Sequence, residues 1–281
     1  MPKIFILLTL FSQTVSASIL PPNNLAIPVG QKNEGLSEEQ YNLVIDKVET
    51  VYRPIVEKMG KKLTINRLWK NSRVNAGTTK KGNEIIINLY GGYPRHSLVT
   101  PDGYALVICH ELGHHLGGTP RKIFDSGLIG WPSTEGQADY FATLKCLRKV
   151  FRNDDNASIV SKLPIPEVVQ EKCTLPFPQE WEQALCMRTT LAGISVSAIS
   201  ADIRNTSLPS VETPDETVVD QTFDDHPLPQ CRLDTYFQGS ICEESSYRSL
   251  SDEDEIQGAC HGKKGQIEGL RPLCWFKPSV I

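Results

Sequence analysis

Apolar residues recur at Tyr41, Val44, Ile45, Val48, Val51, Tyr52, Ile55, Val56 and Met59, the spacing of one helix face. Ser37-Glu38-Glu39-Gln40 ahead of them is a capping box, in which two side chains satisfy amides of the first turn. Pro54 inside the run is expected to kink or interrupt the helix, and Gly60 to stop it. The pattern then shortens. Leu63, Ile65 and Leu68 suggest a strand, and Glu84-Ile85-Ile86-Ile87-Asn88-Leu89 a stronger one, led in by the turn Lys80-Lys81-Gly82-Asn83. Its three isoleucines fit either an exposed edge strand able to pair with an extended peptide or a central strand buried on both faces. Thr100-Pro101-Asp102 supplies a capping hydroxyl, a first-turn proline and an acid, so a second helix runs from there to Gly117-Gly118. Ser133-Thr134 can cap a third, from Glu135 to Val150, and a fourth covers Gln179 to Ile203. Residues 205–225 are polar, acidic and rich in turn formers, a long surface loop; from Cys231 onward little periodicity remains.

The N-terminus changes the picture. Lys3, the apolar run Ile4 to Phe11 and the small-residue ending Val15-Ser16-Ala17 read as a secretory signal peptide over residues 1–17. As a helix the run covers only about 12 Å, too short for a bilayer. Residues 18–35, with Pro21-Pro22-Asn23-Asn24 and Pro28, read as an extended lead-in rather than a packed element. No later stretch reads as a membrane span. The mature chain is therefore expected to be exported, periplasmic or secreted, with no membrane insertion after signal cleavage. Its 29 Lys and Arg against 33 Asp and Glu give a net charge of −4 and no basic face, so nucleic acid is not an expected partner. Eight cysteines, an even set, suit an oxidising compartment. They allow 105 pairings. A bridge between Cys109 and Cys146 would tie the second and third helices. For Cys231, Cys242, Cys260, His261 and Cys274 a structural Cys/His zinc site is the rival to disulfides, but their spacing matches no short-paired pattern.

His110-Glu111-Leu112-Gly113-His114 is an H-E-x-x-H sequence within the second helix. Four residues advance a helix about 400°, so both imidazoles face one way and can reach one zinc ion. Glu111, about 100° around, is placed as general base toward a water beside the metal. A catalytic zinc takes three protein ligands and keeps one position open. Glu135 starts the next helix, and Asp139, four residues on, shares its face; the pair divides naturally into a metal ligand and an acceptor for a zinc-bound histidine's second N–H. His115 points about 100° away from the ligands and His96 has no motif partner, so neither is expected to bind the metal.

His110-Glu111-x-x-His114 followed by Glu135-x-x-Ala138-Asp139 resembles the gluzincin metallopeptidases, within them most closely the family of HtpX and the CAAX prenyl proteases with its soluble periplasmic relatives. Asn75-Ala76 resembles that family's segment leading into its active-site edge strand, and Asp225-His226-Pro227 with Arg232 its downstream His-Pro-x-x-x-x-Arg motif. The resemblance implies that His226 steadies the oxyanion, that Arg232 holds the site's charges, and that Asn75, Ala76 and Ile86 contact substrate. The chain departs from the membrane members in lacking their spanning helices, so a prenylated or membrane-buried substrate is not inherited.

These readings combine into an α+β, mostly helical zincin-like metallopeptidase domain over residues 36–238, with a small β-sheet and a cysteine-rich C-terminal segment over 239–281. The expected activity is an exported zinc endopeptidase acting on a protein or peptide substrate, with one Zn2+ on His110, His114 and Glu135. The alternative is a zinc-retaining pseudo-peptidase that binds exported proteins without cleaving them; the presence of Glu111 favours the enzyme.

Overall fold

The computed structural model describes residues 16–31, 35–124 and 126–279, so the signal-peptide reading lies outside the described residues except at Ser16 and Ala17. The fold is α+β. The first helix, α1 (Glu38–Lys58), starts from the expected capping box: Gln40 N–H donates to Ser37 Oγ at 3.2 Å, and Ser37 N–H to Gln40 Oε1 at 2.9 Å. It runs through Pro54 without interruption. Both Pro54 and Thr50, whose carbonyl loses its helical donor there, are exposed, so water can replace the missing bond.

Strands β1 (Ser16–Ser18), β2 (Lys62–Leu68), β3 (Ala76–Lys81) and β4 (Glu84–Tyr90) form one sheet in the order β1-β3-β4-β2. β3 and β4 make a hairpin around Gly82-Asn83, where Gly82 takes φ 57°. β2 lies parallel to β4, and β1 antiparallel to β3 with Ala17 opposite Thr78. The isoleucine strand is thus central, and the expectation that Ile86 lies on an edge open to substrate is corrected: both its sides are already paired. Ile85, Ile87 and Leu89 face the core while Ile86 and Asn88 are half-buried, so only one face is fully covered.

Helix α2 (Pro101–Leu116) is capped by the Thr100 hydroxyl, which accepts from Gly103 N–H at 3.0 Å. Every residue from Gly103 to His115 is buried, which makes α2 the central rod of the molecule. A small hairpin of β5 (Arg121–Ile123) and β6 (Ile129–Ser133) leads to α3 (Glu135–Phe141). The expected single helix continues through a π-helical stretch, Ala142–Leu147, into α4 (Arg148–Val150). Short helices α5 (Asn156–Val160) and α6 (Glu167–Thr174) precede the long α7 (Glu180–Arg204), which ends with Asn205 in the left-handed conformation. α7 is long and apolar enough to cross a membrane, but most of it is buried against α2 and the last helix, as a core helix is.

That last helix, α8 (Pro229–Ile241), corrects the reading of the C-terminal part as aperiodic. It is buried nearly all round and carries Arg232 and Asp234 inward, so no polar stripe announces it. The lead-in is also corrected. Its backbone is extended, but Ile19 and Leu20 are wholly buried.

All eight cysteines are paired: Cys109–Cys146, Cys173–Cys186, Cys231–Cys274 and Cys242–Cys260. The first ties α2 to the π stretch after α3, the bridge anticipated above. The last two tie the C-terminal segment to α8, and they leave no thiolate for a Cys/His zinc site beside His261. Four disulfides are compatible with an oxidising, exported location.

Candidate metal centre

Three donor atoms converge where α2 meets the start of α3. His110 Nε2 and His114 Nε2 stand 3.1 Å apart, and Glu135 Oε2 lies 3.2 Å from the first and 3.6 Å from the second. These atoms form the group that could hold a metal ion, and all three residues are buried. The close approach needs Gly113: a methyl group there would stand 2.9 Å from the Cα and carbonyl of Ala138, so only a glycine lets α3 come this near.

The surroundings fix which ring nitrogens are free. His110 Nδ1 lies 2.7 Å from Asp139 Oδ1 and His114 Nδ1 2.9 Å from the Ser133 carbonyl, so each Nδ1 carries the proton as donor. In the neutral rings that a metal would require, the two Nε2 atoms face each other as lone pairs. Their 3.1 Å approach is no hydrogen bond, and Glu135 Oε2, buried beside them, has no hydrogen-bond donor. A cation resolves all of this. Ligand atoms placed tetrahedrally at about 2.0–2.1 Å from zinc are about 3.3–3.4 Å apart, and the observed separations bracket that value. The three donors could hold a metal ion.

Asp139 is the hub behind the site. Besides His110 it accepts Arg232 Nε on Oδ2 at 2.8 Å and Arg232 Nη2 and the Tyr236 hydroxyl on Oδ1 at 2.7 and 2.6 Å. Burial alone would raise its pKa, but Arg232 and His110 together hold it down at about 2. For Glu135, too, burial opposes ionisation, and His114 and His226 outweigh it, keeping the carboxylate well below its usual range. Glu111 differs. It is fully buried, neither oxygen has a hydrogen-bond partner, and desolvation pushes its pKa up to about 8 against the opposing charge of His110.

His226 follows the 205–225 loop and lies beside the donor group. Its Nδ1 lies 2.7 Å from Asp225 Oδ1, and its Nε2 is 3.6 Å from Glu135 Oε2. His115 turns away: its Nε2 contacts Thr78 Oγ1 at 2.8 Å, its ring stacks on Trp131, and burial drops its pKa to about 2. His96 pairs with Asp202 at 3.1 Å.

The sequence reading missed Tyr236, the Ser133 carbonyl and, above all, the segment Ser16–Leu20. This segment lies along β3 and over the site. His226 Nε2 donates to the Ser18 carbonyl at 2.8 Å and Arg232 Nη1 to the Ile19 carbonyl at 2.5 Å. Asn75 exchanges two hydrogen bonds with the Leu20 backbone, at 3.2 and 3.0 Å, and the Ala76 carbonyl accepts Ile19 N–H at 3.3 Å. Asn75 and Ala76 thus contact an extended peptide, which is the chain's own. Ile86 contributes no such bond. Two apolar residues directly after the signal-like stretch were the only available signal.

No family model, curated protein or solved structure matches the chain.

Proposed function

We propose that this chain is an exported, zinc-dependent endopeptidase with a zincin-like domain. The observation that carries the reading is the convergence of His110 Nε2, His114 Nε2 and Glu135 Oε2 within 3.1–3.6 Å of one another, with an unpartnered carboxylate, Glu111, one residue from His110. A zinc ion held by those residues supplies Lewis acidity toward a carbonyl oxygen and a water. The remaining chemistry belongs to the protein. Glu111 takes a proton from the attacking water and delivers it to the leaving amine, the task its raised pKa suits. His226 Nε2 donates to the oxygen of the tetrahedral intermediate, a contribution of about 2.7–4 kcal/mol for such a donor in a dry site. Asp139 fixes the His110 tautomer, and Arg232 compensates the charge that Asp139 buries. The substrate is an extended polypeptide, received by Asn75 and the Ala76 carbonyl beside β3.

The test uses metal-loaded protein and an unfolded protein mixture, with new N-termini read by mass spectrometry. Termini produced by the wild type and by neither Glu111→Gln nor the chelated protein are expected. A Glu111→Gln protein that cleaves as fast as wild type would sink the mechanism, and a wild type that binds substrate without cleaving would favour the non-catalytic binding reading.

A further inference from the structure

Main-chain polar groups from the Ser18 carbonyl to the Leu20 carbonyl are held by residues that flank the metal site. The Ser18 carbonyl takes the His226 imidazole; the Ile19 amide goes to the Ala76 carbonyl; the Ile19 carbonyl takes the Arg232 guanidinium; and both polar groups of Leu20 go to the Asn75 side chain. An ordinary edge strand needs only its neighbour's backbone. This one recruits three polar side chains as well, two of them (Asn75 and Arg232) buried. The order of the contacts is also informative. The carbonyl aimed at the oxyanion donor belongs to Ser18, and the same His226 Nε2 lies 3.6 Å from Glu135 Oε2, so that carbonyl stands beside the donor group. Ile19 and Leu20 are fully buried, whereas Pro22, Asn23, Asn24 and Leu25 lie in more open positions. With the segment in place, His110, Glu111, His114 and Glu135 are all buried.

We propose that, in the chain that still carries residues 1–17, Ser16–Leu20 is a tethered substrate strand that closes the cleft, and that the site hydrolyses the Ser18–Ile19 peptide bond of its own chain. The inference rests on the peptidase reading above. In the step, water adds to the Ser18 carbonyl carbon and the C–N bond to Ile19 breaks. Ser18 keeps the new carboxylate, and the proton taken up by Glu111 passes to the Ile19 nitrogen, which leaves as the amine. Cleavage removes the anchor at His226 and loosens the lock on the cleft.

The experiment uses the full 281-residue chain, oxidised and purified with chelator. Zinc is then added, and the chain's own termini are followed by mass spectrometry in wild type, Glu111→Gln and Ile19→Asp/Leu20→Asp. The double substitution places charges at two buried apolar positions and expels the strand. A new terminus at Ile19 is expected, appearing at a rate unchanged by tenfold dilution and at least about a hundredfold slower in Glu111→Gln. The expelled-strand variant is expected to cleave an added unfolded protein faster than the unprocessed wild type. A separate readout needs no metal: hydrogen exchange over residues 16–20 of the chelated protein is expected to be slow and to quicken in Asn75→Ala. If the expelled-strand variant cleaves added protein while the wild-type Ser18–Ile19 bond stays intact, the self-cleavage inference is overturned and the peptidase reading stands. If a folded expelled-strand variant cleaves nothing and the wild-type Ser18–Ile19 bond stays intact, both fall. Fast exchange over residues 16–20 in the wild type overturns the tethered strand.

Discussion

Arg232 and Asp139 offer the sharpest test of what holds the site together. Both side chains are fully buried, and they meet in a two-pronged ion pair of 2.7 and 2.8 Å. Arg232→Met removes the cation but leaves a carboxylate inside the protein with only the Tyr236 hydroxyl and His110 Nδ1 as donors. Two unit charges about 4 Å apart at an effective dielectric near 20 interact by about 4 kcal/mol, and breaking one side of a buried pair typically costs about 3–5 kcal/mol. The lost bond to the Ile19 carbonyl adds about 1 kcal/mol. With a urea slope of about 2–3 kcal/mol per molar, the unfolding midpoint of the metal-free, disulfide-intact protein should fall by about 1.3–3 M. The double variant Arg232→Met/Asp139→Leu removes both charges, so its loss should fall short of the sum of the two single losses by about 2 kcal/mol or more. A loss under about 1 kcal/mol for Arg232→Met, or strict additivity in the cycle, would refute the claim that this pair is a mutually dependent buried unit.

Further expectations concern the same frame. Asp139→Asn should weaken zinc binding by about 10–100-fold in a chelator competition, because it loosens the His110 tautomer; unchanged affinity would remove Asp139 from the site's support. Gly113→Ala should destabilise by about 1–3 kcal/mol and lower metal affinity, since the methyl group forces α3 and Glu135 away from α2; a neutral effect on both, by denaturation and metal titration, would contradict the packing argument. Lys145 is buried, donates to the Ser245 carbonyl at 2.6 Å, and has its pKa lowered to about 7 by desolvation and by Arg148 and Lys149, with Glu244 opposing and Lys264 reinforcing. Above pH 7 the unfolded chain then holds more protons than the folded one, so stability should rise with pH between about 7.5 and 9.5, by at most about 1.4 kcal/mol per unit from this group. Lys145→Met should flatten that rise in denaturation curves taken across the window, and an unchanged slope would count against the assignment.

The ligand set was legible because it is local. His110, Glu111 and His114 lie within two helical turns, and Glu135 and Asp139 within one, so helical periodicity alone decides which side chains share a face. The helix starts at Ser37, Thr100 and Thr134 were legible for the same reason, each being a side-chain cap written in adjacent residues. What was missed depends on distant partners. β3, Ala-Gly-Thr-Thr-Lys-Lys, has hardly any apolar signal and is a strand because β1 and β4 pair with it. Ile86 was assigned to substrate because a run of isoleucines does not reveal whether its neighbours will be strands or solvent. α8 hides its helical period because Arg232 and Asp234 are buried with the apolar residues. Residues 18–20 looked like a lead-in since their partners, Asn75 and His226, stand 55 and 208 positions away.

The Cys109–Cys146 bridge closes a loop spanning 37 positions, and His110, Glu111, His114, Glu135 and Asp139 all lie inside it. The metal site is therefore contained in a single covalent ring. Even in an unfolded chain its ligands stay members of one small circle, which a chain-entropy estimate values at about 4 kcal/mol of stability. An ion bound there would be an exchangeable part in a fixed socket rather than the staple that folds the domain. A chelated chain would be expected to keep its shape and to be refilled, whereas a chain still carrying thiols would have to search for the same arrangement without the ring. Oxidation, more than metal supply, would thus mark the moment at which the socket comes into being.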